Sequence, residues 1–481
     1  MASVKIQRPN IVLILTDQQK AASMPLYGNP VVRMPNLEQF AANAVRFTHG
    51  FTSCPLCVPA RVSTFTGQYP STHGSPDNNL LMAPGKAHLL RRLKEAGYAT
   101  GLAGKNHCFR DDDLACFDSI AECGHYGPVT DDPVYAEPAA WLRQQRHVLK
   151  GCWGSLVNPY PPERLGTYWT VQKGIDFISR QHESPFFLWL SIPDPHIPFQ
   201  TPEPYASMYS PTDVDMPAFR EGEMDGKPRA QQIDSKVMCA DAVSGETIRN
   251  VRAIYYGMNS FIDNELGRFF DALAEQGLDQ NTVLFYVSDH GEYLGEHRMI
   301  RKSKSAYDCL THIPFLLRVP GGKPGVCDEF VSLEDVMPTV LDATGLECPA
   351  DVHGRSLLPI ARGEPFEGRP FAYGEYGGSN DPVQTPLDEI QTCATPHSPD
   401  FRPAMKLGGF GKMRYLRTRD WKLVAYVNDT YELYDLQNDP HELTNLAKDS
   451  AHRDVRLRME GLLIEHMMRI SAPGVVTESV S

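Results

Sequence analysis

The sequence predicts an α/β fold: a large mixed, mostly parallel sheet flanked by helices, followed by a small C-terminal α+β subdomain. Three observations point there. Four short runs, Ile11–Leu15, Ala99–Ala103, Phe186–Ile192 and Val283–Val287, are apolar and rich in strand formers, the pattern of strands covered on both faces. Helical periods separate them, giving the β-α-β alternation of a doubly wound sheet. Each run also stops at chemically capable residues: Thr16-Asp17, Gly104-Lys105-Asn106-His107, Asp194-Pro195-His196 and Ser288-Asp289-His290. In such sheets ligands bind beyond the carboxyl ends of the strands, so four endings of this kind predict a site.

Between the strands, His88–Ala96 is apolar on one face and stops at Gly97, a suitable residue beyond a helix end. Glu246–Gln276 carries Ile248, Val251, Tyr255, Met258, Ile262, Leu266, Phe269 and Leu273. That three/four spacing predicts one long helix with a buried face. Pro198–Val237, rich in Pro, Asp and Gly, reads as a long surface loop, and Tyr376–Gly411 as a second. Tyr415–Tyr426 and Tyr431–Leu436 then read as a strand pair, Ala451–Ile470 as a helix, and the residues after Pro473 as a mobile tail. The expected division is a catalytic domain over 1–370 and a subdomain over 371–481.

Composition narrows the function. The chain has 46 Lys and Arg against 59 Asp and Glu, a net charge of −13. This argues against a general nucleic-acid binder, whose affinity rests on neutralising phosphates. No stretch approaches the roughly 18 apolar residues of a membrane span, and Met1–Pro9 has no apolar signal core. The expectation is a soluble protein of the cytoplasm, with no membrane or nucleic-acid partner. Eleven cysteines, an odd number without repeated spacing, fit reduced thiols. Cys54 and Cys57 form a C-x-x-C, open to a redox pair or half a zinc site.

The densest local signal is Cys54-Pro-Leu-Cys57-Val-Pro-Ala-Arg61. Pro59 suits the first turn of a helix, which places Cys57 at a helix N-terminus, where anions are favoured. Arg61 adds a permanent charge one turn on. A thiol there has the setting of a low-pKa nucleophile, or is simply a buried cysteine beside a helix cap.

Cys57-Val-Pro-Ala-Arg61 resembles the C-x-P-x-R motif of the sulfatases, within the alkaline phosphatase superfamily. Thr66–Gly74, Gly104–His107, Pro195–Phe199, Ser288–Glu292 and Glu432–Leu446 resemble the family's other motifs, in order and over nearly the whole chain. The resemblance implies an alkaline phosphatase-like fold and oxidation of Cys57 to formylglycine, an aldehyde held as its hydrate. One hydroxyl of the hydrate attacks the ester, and the other expels the anion by re-forming the aldehyde. It also implies a formylglycine-generating enzyme as a partner acting on the unfolded chain, and allows a homo-oligomer.

Asp17, Asp289, His290 and the residue-57 hydrate are then the expected ligands of one divalent metal ion. Many sulfatases have Asp-Asp where this chain has Asp17-Gln18, and Asp-Asn where it has Asp289-His290. Those departures resemble the phosphonate monoester hydrolases and choline sulfatases, whose metal is often manganese rather than calcium, and an imidazole ligand shifts preference the same way. By position, Arg61 is expected to hold the hydrate and metal-side oxygens. Lys105 and Lys302 are expected to bind sulfate oxygens, with Lys304 as a competitor to Lys302. His107 is expected to contact the hydrate and His196 to serve the leaving oxygen. Asn78 and His312 resemble substrate-contacting residues of that subgroup. His49, His73, His125 and His353 receive no role beyond loop or packing.

The leading expectation is a formylglycine-dependent hydrolase of sulfate monoesters, supported by the Lys105-x-His107 pair. A phosphonate monoester or phosphodiester hydrolase on the same scaffold is the alternative, supported by Gln18, Asp289-His290 and His312. A non-catalytic anion-binding or cysteine redox protein is the third.

Overall fold

A computed structural model describes residues 8–145, 153–377 and 411–471. Its centre is a nine-stranded mixed sheet. The strands are β1 (Asn10–Thr16), β2 (Val45–Phe51), β3 (Ala99–Gly104), β4 (Ser119–Gly124) and β5 (Gly127–Pro128), then, after β6 (Ser155–Asn158), β7 (Phe186–Ile192) and, after β8 (Phe199–Pro202), β9 (Thr282–Ser288), β10 (Phe315–Arg318) and β11 (Gly325–Ser332). Their order is β11-β2-β10-β9-β1-β7-β3-β4-β5. The four runs read from sequence are β1, β3, β7 and β9. They lie side by side and parallel in the middle, while β10 runs antiparallel between β9 and β2.

Burial explains why these four carry no polar alternation. Every residue of β1, β7 and β9 is buried. Ile11, Leu13 and Leu15 join Phe187 and Trp189 in one core, against the helices Cys57–Thr66 and Val336–Thr344. Val12 and Ile14 join Leu188 and Leu190 in another, against the helix Gly245–Glu275. Successive strand side chains point to opposite faces, so a sheet with two cores needs apolar residues at both parities. The long helix begins where Ser244 accepts the Thr247 N–H at 3.1 Å, as an N-cap does. Among the described residues, no helix is long and apolar enough to cross a membrane.

Register brings the strand ends level. Thr16 pairs with Ile192 on one side and Ser288 on the other, and Gly104 pairs with Ser191. Asp17, Lys105, the segment after Ile192 and Asp289 therefore leave the sheet along one edge. Gly104 makes the closest approach. Its φ is +107°, and a Cβ there would stand 1.8 Å from the Ser191 carbonyl oxygen. That space lets the Lys105 N–H donate to the same oxygen at 2.8 Å.

Two sequence readings change. Pro198–Val237 is not an unbroken loop: it holds β8, which pairs with β6, and the helix Arg229–Val237. That helix buries Ile233 and Val237 in the core and adds polar contacts, with Gln231 Nε2 donating to both Glu432 oxygens at 2.9 and 2.8 Å. The C-terminal strand pair is part of a four-stranded antiparallel sheet, β12 (Ala372–Tyr376), β13 (Met413–Arg417), β14 (Trp421–Tyr426) and β15 (Glu432–Asp435). Tyr376 thus closes a strand, and residues 378–410 of the second expected loop lie outside the described residues, as does the tail beyond 471. The helix Arg453–Ser471 follows, after a short 3-10 turn. The second sheet backs the approach to Cys57: the Glu375 N–H donates to Ser53 O at 2.7 Å and the Tyr415 hydroxyl to Thr52 O at 2.7 Å.

Candidate active site

Cys57 is the first residue of the ten-residue helix Cys57–Thr66, so its side chain sits at the positive end of the helix dipole. Leu56, at the cap position, offers no side-chain acceptor. Asn78 supplies one instead, its Oδ1 accepting the Val58 N–H at 3.0 Å. The residue expected to touch substrate therefore holds the helix end that presents Cys57. Pro59 falls in the first turn, where a missing N–H costs nothing.

One turn on, Arg61 is wholly buried. Its Nε donates to Asp289 Oδ2 at 3.0 Å and one terminal nitrogen to Asp17 Oδ2 at 3.1 Å. The other terminal nitrogen donates to Lys105 O at 3.0 Å and Ser191 Oγ at 2.8 Å. Arg61 thus locks the two carboxylates together from behind. It was expected to hold the residue-57 oxygens as well; these contacts all run to the carboxylates and strand ends.

The locked carboxylates each keep one oxygen for the centre. Asp17 Oδ1 lies 3.6 Å from Cys57 Sγ and 3.8 Å from His290 Nε2. Asp289 Oδ1 lies 3.5 Å from His290 Nε2 and accepts the Gln18 N–H at 2.9 Å. His290 Nδ1 is engaged by Gly291 O at 2.8 Å, which leaves Nε2 facing Cys57 Sγ at 3.4 Å. One ligand atom from each of Asp17, Cys57, Asp289 and His290 thus falls within 4.8 Å of all the others, in full burial. Two carboxylate oxygens, an imidazole nitrogen and the residue-57 atom suit a divalent ion with mixed oxygen and nitrogen preference, and the outer contacts fix each ligand's orientation. Gln18, with φ at +64°, turns its side chain away to Glu292.

Two further cations flank this cluster. Lys105 Nζ bonds to Asp17 Oδ2, and Lys302 Nζ lies 2.7 Å from Cys57 Sγ and 2.8 Å from His290 Nε2. Lys304, the competitor, instead pairs with Asp77 at 3.0 Å. Burial pushes the Cys57 thiol up, but Lys105, Lys302, His290 and a bond from His107 outweigh it and hold the thiol well below its usual range. Burial and the Cys57 charge push Asp17 up, and Lys105, His196 and Arg61 hold it well below the carboxylate range. Lys302 is raised: Cys57, Asp17 and Asp289 outweigh its burial. In a chain of net charge −13, Arg61, Lys105 and Lys302 thus gather around one cluster.

His196 Nδ1 is tied to Ile197 O at 2.6 Å and its ring reaches Cys57, while burial and Lys302 bring its pKa down to about 4. A neighbour escaped sequence reading. His125, in the turn between β4 and β5, stacks on His196 with ring centres 3.7 Å apart and accepts from Lys105 Nζ at 3.0 Å. Only its place four residues after a strand-like Ile120–Ala121 could have hinted at this, and that signal is weak. His49, His73 and His353 sit in local contacts with Asp328, Ser63 and the Tyr69 N–H.

His312 does not join the site. Its Nε2 bonds to Thr48 O at 3.0 Å, and its ring packs edge-on to Tyr27 and against Phe51. None of these groups belongs to the cluster, so its place before Ile313-Pro314 gives it a packing role. His312→Ala is expected to cost about 1–3 kcal/mol by leaving Thr48 O unpaired. Chemical denaturation measures that loss, and a kcat unchanged from the parent separates packing from substrate contact.

The redox reading of the C-x-x-C also fails on geometry. Cys54 and Cys57 are both free, Cys54 lies in an apolar cluster with Leu56, Tyr376 and Met413, and burial pushes its thiol far up.

Residues 9–346 match the family model described as sulfatase, and residues 410–469 the model described as N-sulphoglucosamine sulphohydrolase, C-terminal. The uncharacterized sulfatase YidJ of Escherichia coli is 28% identical, with 97% of this chain and 89% of that one covered. An arylsulfatase of Clostridium perfringens is 28% identical, with 96% and 94% covered. The phosphonate monoester hydrolase of Silicibacter pomeroyi superposes with a TM-score of 0.80 at 25% identity, covering 98% of this chain and 97% of that one.

Proposed function

The chain belongs to the sulfatase family, and from that premise we propose that it hydrolyses sulfate monoesters with Cys57, oxidised to formylglycine, as nucleophile. It is a sulfatase-type hydrolase acting on sulfate or phosphonate esters. The observation that carries the finer reading is the four-ligand cluster of Asp17, Cys57, Asp289 and His290, faced by Lys105 and Lys302.

The thiol Sγ stands where the hydrate oxygens of formylglycine would lie. Once formed, that group supplies an attacking hydroxyl and a second one that releases the anion without help from water. Cys57 is only 1% exposed, which supports modification of the chain by a formylglycine-generating enzyme before folding. Asp17, Asp289 and His290 would hold a divalent ion beside residue 57, which supplies charge neutralisation and a more acidic nucleophile. The imidazole favours manganese over calcium.

The chain's own groups do the rest. Lys105 and Lys302 bind the non-bridging oxygens of the ester, where charge is displaced as the bond breaks. Arg61 keeps both carboxylates aimed. His107, whose Nδ1 is buried without a hydrogen-bond partner, contacts residue 57 and can hold its proton. His196 serves the leaving oxygen: uncharged in the free site, it gains proton affinity when an anionic ester arrives beside it. His125 positions both Lys105 and His196.

Lys302→Ala is expected to lower kcat on 4-nitrophenyl sulfate by about 10²–10³, the usual cost of one preorganised charge at a reacting anion. Steady-state kinetics with unchanged residue-57 modification check this, and a change confined to KM argues against the role. Phosphonate monoesters are the second substrate reading, favoured by Gln18 turning away from the centre and by His290 in the ligand set. A kcat/KM ratio of phenyl phosphonate to phenyl sulfate esters, measured with manganese and with calcium, decides between them.

A further inference from the structure

Lys302 sits at the end of a strained turn. Within residues 294–301, Leu294, His297, Arg298 and Arg301 hold left-handed backbone angles, with φ at 50°, 56°, 54° and 69°. For residues other than glycine such angles persist only where the surroundings over-determine them, and they gather at functional sites. The surroundings here are specific. The Gly295 N–H donates to Met299 O at 2.8 Å and the His297 N–H to Ala218 O at 3.0 Å. Arg252 Nη1 donates to Leu294 O at 2.8 Å and Arg298 Nη2 to Val243 O at 2.9 Å. His297 Nδ1 pairs with Glu223 at 2.8 Å.

Tyr293 gathers this turn at one point. Its N–H donates to Arg301 O at 2.9 Å. Its hydroxyl lies 2.7 Å from Ser303 Oγ and donates to Ser305 Oγ at 3.0 Å. One residue thus grips the chain immediately before and immediately after Lys302. Between those grips the Lys302 side chain reaches Cys57 Sγ at 2.7 Å and His290 Nε2 at 2.8 Å. The Tyr293 ring is wholly buried. It stands edge-on to His297 and to Tyr307, each 6.2 Å away between ring centres, and those two rings stack on each other at 3.8 Å. Burial also pushes the Tyr293 hydroxyl well above its usual pKa, so it keeps its proton.

We propose that Tyr293 is the positioning residue for Lys302, fixing the ammonium beside residue 57 by holding both chain neighbours of the lysine. The inference rests on the ester-hydrolase reading, in which Lys302 binds the ester oxygens, and adds what keeps that charge in place. A lysine is a point charge on a flexible stem, so its place depends on where the backbone launches it. A preorganised charge loses its value when it drifts, and a misplacement of about 1 Å costs up to about a hundredfold in rate. The Tyr293 hydroxyl is spent on Ser303 and Ser305. Its effect on the reaction therefore passes through Lys302, which separates it from a tyrosine that merely fills the core.

Turnover of 4-nitrophenyl sulfate by the full-length protein carrying modified residue 57 tests it. Tyr293→Phe keeps the ring and removes the grip on Ser303 and Ser305, and is expected to lower kcat about tenfold. Ser303→Ala, a second variant against misfolding, removes the other side of that contact and is expected to give the same loss, with no further loss when the two are combined. In a Lys302→Ala background, Tyr293→Phe is expected to leave kcat unchanged. A loss from Tyr293→Phe that is as large without Lys302 as with it overturns the proposal, and so does a full kcat in both single variants. Inorganic sulfate, titrated by calorimetry, reads the site without any cleavage. Its affinity is expected to fall about threefold in Tyr293→Phe, less than kcat because the lysine matters most in the transition state, and not to fall further where Lys302 is already alanine. If the parent cleaves no sulfate ester while sulfate binding shows that dependence, the sulfatase reading falls and the positioning role stands. If esters are cleaved but Tyr293→Phe acts independently of Lys302, the positioning role falls and the sulfatase reading stands.

Discussion

Cys57→Ala is expected to lower sulfate-ester turnover by about 10⁴ or more, because groups that act as one unit lose nearly everything when the nucleophile goes. Cys57→Ser sharpens the test. A serine hydroxyl at the same helix terminus can attack the ester, but a single hydroxyl has no partner with which to expel the sulfate. The expected result is one equivalent of alcohol released per protein, followed by a stalled covalent adduct. Continued turnover by the serine variant would show that a simple alkoxide suffices and would remove the formylglycine step. Mass analysis of the residue-57 peptide from the parent completes the set. The expected shift is the replacement of a –CH₂SH side chain by –CHO, and an unmodified thiol throughout an active sample overturns the mechanism.

Asp289→Asn is expected to remove the divalent ion and to lower kcat by about a thousandfold. The substitution keeps the shape but loses the charge that the ion and Arg61 share: Oδ2 accepts from Arg61 Nε at 3.0 Å, while Oδ1 faces His290 at 3.5 Å. Two readouts besides turnover apply. Metal content after dialysis, by atomic emission, is expected near one ion per chain in the parent and well below that in the variant. Manganese is expected to raise the unfolding temperature of the parent and to do so far less in Asp289→Asn, since a ligand stabilises only the state that binds it. The variant is also expected to lose about 3 kcal/mol of stability, because a fully buried guanidinium is left half unpaired. A variant that keeps its ion would move the metal ligands elsewhere.

The parts of this molecule that sequence reading reached are those with a local cause. A strand buried on both faces must be apolar at every position, so β1, β7 and β9 announce themselves and their polar endings mark the site edge. The helix Gly245–Glu275 is written in its three/four spacing. The helix Arg229–Val237 is different in kind. Its apolar stripe is short, Ala230, Ile233 and Val237, set among polar residues of which Gln231 bonds to Glu432, some two hundred positions away. The capping role of Asn78 and the place of His125 escaped because both depend on contacts distant in sequence. One caps a helix twenty residues upstream and the other stacks on a histidine from another strand end, and only the assembled fold brings them there. His312 shows the reverse error. A motif-like neighbourhood suggested a substrate contact, and the backbone carries the ring to Thr48 instead.

The level strand ends have a consequence for how such a protein can change. Asp17, Lys105 and Asp289 are indexed to one another by the hydrogen-bond ladder of the central sheet, so their relative positions are set by the core. Lys302 comes from elsewhere, out of the turn that Tyr293 grips on both sides. The chain thus sets part of its charged cluster on strand ends and the rest, Lys302 included, on loops. Substitutions in those loops change the surroundings of the cluster while the ladder keeps Asp17, Lys105 and Asp289 in register.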